Sequence, residues 1–131
     1  MKTTIGGIEF PLSFTVEAQK KVEEKFGGMD KSHIEQIFDT TDYRKYEENI
    51  AFMAATMINA DIKREKVRAK IMFEEPTKRA EVTTEDVLCL MRPGELNKTA
   101  TDVIKTINEG NKINIEIVPE KGKNAETAQS E

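Results

Sequence analysis

The chain has no tryptophan, one cysteine and one histidine, and its 131 residues include only two tyrosines and six phenylalanines. Each scarcity excludes something. A single cysteine cannot close an internal disulfide, so nothing indicates an oxidising compartment. A zinc site draws on several Cys or His ligands at set spacings, and His33 and Cys89 lie far apart in the chain. A nucleophilic triad needs a base oriented by a third group, and with one histidine neither Ser13 nor Ser32 has a partner set. The glycine pairs Gly6-Gly7 and Gly27-Gly28 lack the spacing and the lysine of a phosphate loop. No cofactor and no enzymatic activity are expected. Long apolar runs are missing too. The longest, around Ile50 to Ile58, falls short of the roughly 20 residues that cross a bilayer. No apolar stretch follows Lys2, so the start does not read as a signal peptide. The expectation is a soluble cytoplasmic protein with no membrane partner.

Charge is what the chain has in quantity. Charged residues make up 34% and apolar residues 37%, with a net charge of −4. That is enough apolar material for one core under a heavily charged surface. An acidic balance gives no general attraction to phosphate backbones, so no nucleic-acid partner is expected. The basic run KREKVRAK, Lys63 to Lys70, reads as the wet side of an amphipathic helix with Val67 and Ile71 facing inward. The carboxylate pairs Glu23-Glu24, Glu47-Glu48 and Glu74-Glu75 read as solvated faces rather than acid/base pairs.

The spacing of apolar residues outlines the elements. Thr3-Thr4-Ile5 and Ile8-Glu9-Phe10 flank Gly6-Gly7, the signal for a two-residue hairpin. Ile5, Ile8, Phe10 and Leu12 share one face of it, which a helix must cover. Phe14, Ala18, Val22 and Phe26 recur every four residues on a helix capped by Thr15 and stopped at Gly27-Gly28. Asp30 caps a short helix bearing Ile34, Ile37 and Phe38. Behind Thr40-Thr41-Asp42 lies the longest helical pattern, Tyr43, Tyr46, Ile50, Met53 and Met57, fading near Asn59-Ala60-Asp61. Thr83 with Asp86 reads as a capping box for a helix through Val87, Leu88 and Met91, closed by Pro93-Gly94. Thr99 with Asp102 reads as another, before a stripe of Ala100, Val103, Ile104 and Ile107 that ends at Gly110. Ile113, Ile115 and Ile117 alternate with polar residues, which suggests a third strand near residues 112–118. The fold class is therefore α+β, mostly helical, with an N-terminal β-hairpin. Residues 1–118 form one domain and residues 119–131 a disordered polar tail.

His33 reads as a surface or half-buried residue and Cys89, between Leu88 and Leu90, as a small core residue. The methionines carry two meanings. Flexible thioethers fill core gaps, and they also suit surfaces that bind varied apolar segments. Met53, Met57, Met72, Phe73 and Met91 are the candidate partner-binding residues on this chemistry.

Taken in order, these stretches resemble tail assembly chaperones of long-tailed bacteriophages and prophages. The resemblance lies in the Gly-Gly hairpin closing on Glu9-Phe10-Pro11-Leu12, the helix FTVEAQKKVEEKFGG (Phe14 to Gly28) and the alanine- and methionine-rich NIAFMAATMINA (Asn49 to Ala60). The helix start Val82-Thr83-Thr84-Glu85-Asp86-Val87 and the closing Glu120 to Glu126, EKGKNAE, add to it. It spans nearly the whole chain. It aligns least well over Lys63 to Ala80, and Asp61 stands where a helix-ending glycine is expected. The resemblance implies a protein that coats the tape measure protein and keeps it soluble until tail tube subunits polymerise around it. It further implies action in the cytoplasm of the bacterial host, absence from the mature virion, and tail tube recruitment through a longer frameshifted form. The tail after Pro119 would then be a tether, and self-association is compatible with the role. The alternative reading is a small nucleic-acid-binding regulator, with Lys63–Met72 and Thr84–Met91 as a helix-turn-helix. The Phe73–Val82 gap is long for that motif, whose turn takes about 3–4 residues.

Overall fold

The computed structural model describes residues 1–111. In chain order the elements are β1 (Lys2–Ile5), β2 (Ile8–Pro11), α1 (Val16–Phe26), α2 (Lys31–Ile37), α3 (Tyr43–Met72), α4 (Thr84–Leu90), a 3₁₀ turn (Pro93–Glu95) and α5 (Leu96–Asn111). The fold is α+β and mostly helical, and its sheet is one antiparallel hairpin. The third strand near residues 112–118 and the tail 119–131 lie outside the described residues.

The hairpin has the expected register, with Ile5 opposite Ile8 and Thr3 opposite Phe10. Gly6 and Gly7 both take positive φ, +58° and +81°, as a type I′ turn requires. The buried face belongs mainly to β1, where Thr3 and Ile5 are buried, whereas Ile8 next to the turn is exposed. Gly6 is also a point of close approach. A Cβ there would stand 2.7 Å from the Leu90 side chain and carbonyl. The Gly6 N–H donates to both Glu95 carboxylate oxygens, at 3.0 and 3.2 Å. The turn is thus clipped to the junction of α4 and α5.

Caps appear where the sequence places them for the first four helices. Thr15, Asp30, Asp42 and Thr83 each accept from a backbone N–H in the first turn. The Thr83–Asp86 capping box is complete, and Gly27 stops α1 in the left-handed conformation, φ +92°. The expected box at Thr99 does not form. The 3₁₀ turn starts α5 three residues earlier, so Thr99 is inside the helix, fully buried, and donates to the Glu95 carbonyl. Gly110 is likewise helical rather than a terminating glycine. A Cβ there would meet the Phe14 carbonyl at 2.8 Å, so close packing explains the residue.

The largest correction concerns α3. It does not fade at Asn59-Ala60-Asp61 but runs for 30 residues, from Tyr43 to Met72. The polar residues that suggested an end are satisfied by distant partners. Asn59 pairs with both backbone groups of Val82, at 2.7 and 2.8 Å. Asp61 accepts from the Ser13 hydroxyl at 2.6 Å and from the Arg79 guanidinium at 2.9 Å. With those groups paired, backbone propagation through them is favourable.

α3 is the spine of the core. It touches each of the other helices and β2. Its middle is buried almost all round by Ile50, Ala51, Met53, Ala54, Met57 and Ile58, and the alanines permit close approach of neighbouring helices. Cys89 is exposed, contrary to expectation. In so short a helix only Val87 is fully buried and Leu90 partly so, and Leu88 and Cys89 turn to water.

Candidate functional site

The structure divides the five candidate partner-binding residues. Met53 and Met57 are both 0% exposed in the centre of the core. They are packing residues, a correction to their reading as surface, because α3 is enclosed on all sides there. Met91 caps α4 and is partly buried against the core. Met72 and Phe73 are open to solvent, 53% and 96% exposed.

Two tethers order these positions along α3. Asn59 holds Val82, and the Tyr46 hydroxyl donates to Asn97 at 2.9 Å. The segment carrying Met91 therefore lies alongside residues 46 to 59. Met72 is thirteen residues past Asn59, about 20 Å further along the helix at about 1.5 Å per residue. Met91 and Phe73 do not share a surface.

Two other residues join Met72 and Phe73. Val67 and Ile71 do not face inward as expected but are 51% and 67% exposed. From Lys63 to Met72 only Ala69 is buried. The reason is geometric. Val67 and Ile71 continue the 3-4 spacing of Tyr46, Ile50, Met53 and Met57, so the apolar phase is carried on. The elements that cover that phase do not extend so far, and the stripe meets water. Phe73 ends the helix at φ +58°, the one non-glycine with positive φ among the described residues. A bulky side chain at such an angle is an outlier. The last two turns of α3 and its cap thus present exposed Val67, Ile71, Met72 and Phe73, and clustered exposed apolar side chains of this kind mark interaction surfaces.

Basic residues surround the stripe. Lys63 pairs with Glu17 of α1 at 3.0 Å, and that hydrogen bond holds the Glu17 carboxyl below the usual glutamate range. Arg64, Lys66, Arg68 and Lys70 have no ion-pair partner among the described residues.

Elsewhere, a polar cleft of about 910 Å³ is lined by Ser13, Asp61, Arg64, Arg79, Thr106 and Glu109 among others. The Ser13–Asp61–Arg79 chain of hydrogen bonds crosses it. This chain ties the β2–α1 connection, α3 and the α3–α4 connection together, which is a structural task. His33, half-buried beside Gly27 and Gly28, pairs with Asp30, and that contact holds the Asp30 carboxyl below its ordinary value. No cluster of three or more His, Cys, Asp or Glu side chains among the described residues could hold a metal ion. No described helix is long and apolar enough to cross a membrane. The α3–α4 connection runs from Phe73 to Thr83, longer than the turn of a helix-turn-helix.

No protein-family model matches the chain, and no curated protein or solved structure matches it.

Proposed function

We propose that the protein is a phage or prophage tail assembly chaperone that binds the tape measure protein and keeps it soluble during tail morphogenesis. One observation carries the reading. The spine helix of the core ends in four exposed apolar residues, Val67, Ile71, Met72 and Phe73. Burying one side chain of that size is worth about 1.5–3 kcal/mol, so a partner that covers them gains affinity from them. The resemblance of the chain from its hairpin to its closing Lys-Asn-Ala stretch supports the same reading, and it supplies the identity of the client. The protein acts by binding, in the cytoplasm of the bacterial host, and is left out of the mature virion. Tail tube subunits are recruited through a longer frameshifted form.

The test is co-expression with the tape measure gene of the same phage. The tape measure protein is expected in the soluble fraction with the intact chaperone and in the pellet without it. The double substitution Val67→Ser/Ile71→Ser should return it to the pellet. An equally insoluble tape measure protein in the presence and absence of the intact chain would refute the function.

A further inference from the structure

We propose that the end of α3 is a docking seam for a single partner helix whose apolar face is flanked by acidic side chains. This rests on reading the helix end as the client-binding surface. At about 100° per residue, Val67 and Ile71 lie within about 40° of each other. Ala69, the one buried residue between Lys63 and Met72, faces the opposite way. Arg64 and Arg68 flank the stripe on one side, and Lys70 and, further round, Lys66 flank it on the other.

The width of the stripe selects the occupant. An apolar ridge one residue wide, with Val67 and Ile71 stacked along it, Met72 and Phe73 at its end and charges on both borders, fits the seam of a helix pair. A helix that lies in a membrane surface needs a broad apolar face. A phosphate backbone would neutralise the borders and leave Val67 and Ile71 uncovered. A second copy of this seam would bring the same four cations against each other. Charges beside a seam set partner choice, and four unpaired cations select glutamate or aspartate on the partner.

The test uses the full chain and two synthetic helical peptides with the same leucine seam, one flanked by glutamates and one by lysines. Fluorescence anisotropy should show the glutamate-flanked peptide binding at least about tenfold tighter at low salt, with the gap closing as salt shortens the screening length. Lys66→Glu/Arg68→Glu/Lys70→Glu should invert the preference. Val67→Ser/Ile71→Ser should lose both peptides while circular dichroism and melting stay unchanged. Equal affinities, or a preference that survives the charge reversal, overturn the inference. So does tighter binding to vesicles rich in phosphatidylserine, to duplex DNA, or to a peptide of residues 112–131. A dimer that Val67→Ser/Ile71→Ser abolishes overturns it as well. If Val67→Ser/Ile71→Ser solubilises the tape measure protein as well as the intact chain does, the surface itself is wrongly assigned. If that variant fails to solubilise it while the peptides show no charge preference, only the acidic partner is refuted.

Discussion

Gly6 concentrates two constraints on one residue. Its φ of +58° favours glycine, and a Cβ would collide with Leu90. Gly7 has φ +81° but open space around it. Both alanine substitutions therefore carry a left-handed penalty of about 1–2 kcal/mol, and Gly6→Ala adds the clash. Urea denaturation should rank Gly6→Ala as the more damaging of the two. Glu95 acts from the other side of the same contact. Hydrogen bonds from the Arg92 and Gly6 backbone N–H groups hold its carboxyl below the ordinary value of 4.5. The folded protein binds that proton less tightly than the unfolded chain does. The stabilisation is complete above the ordinary glutamate range and is lost as the pH falls through the lower folded value. Glu95→Gln should therefore lower the melting temperature at pH 7. The difference from the wild type should shrink as the pH drops below 4.5. A difference that stays constant down to acid unfolding would mean that the charge on Glu95 does not matter.

Among the elements, α3 shows how an apolar pattern can outrun the body that covers it. Its stripe is read correctly as a period from the sequence, yet the same period is core at Met53 and solvent at Val67. The period alone does not distinguish the two, because exposure depends on where the other helices stop. The end of the helix does leave a trace, since basic residues on both borders of Val67 and Ile71 are unusual for a buried face. Phe73 provides the element-scale prediction. It has a left-handed backbone and almost no packing to lose, at 96% exposed. Glycine suits that cap position, so Phe73→Gly should stabilise the protein by up to about 1 kcal/mol. It should also weaken the solubilising effect on the tape measure protein. A stabilised variant with undiminished effect would remove Phe73 from the binding surface.

At the scale of the whole molecule, one core is shared by the hairpin and every helix. The hairpin is locked to α5 by the buried Thr3 hydroxyl, which donates to Asp102 at 2.8 Å while Lys98 pairs with the same carboxylate. Met57 sits at the middle of this arrangement, so its truncation should be felt throughout. Met57→Ala should cost about 2–5 kcal/mol and shift unfolding seen by far-UV dichroism and by tyrosine fluorescence together, as one cooperative unit does. Both tyrosines lie at the start of α3, so separate transitions would mean that this end of α3 unfolds apart from the other helices.

The amino-acid sequence alone determined the class of fold, the hairpin register and the caps of α1 to α4. These depend on contacts within a few residues, such as paired glycines, an Asp or Thr before an apolar period, or a glycine after one. Tertiary structure decided the length of α3, the start of α5 and the site. Asn59 and Asp61 extend the helix only because Val82, Ser13 and Arg79 arrive to pair with them. Met57 is hidden and Val67 bare because burial is a property of what packs alongside, and periodicity specifies a face without specifying its neighbour.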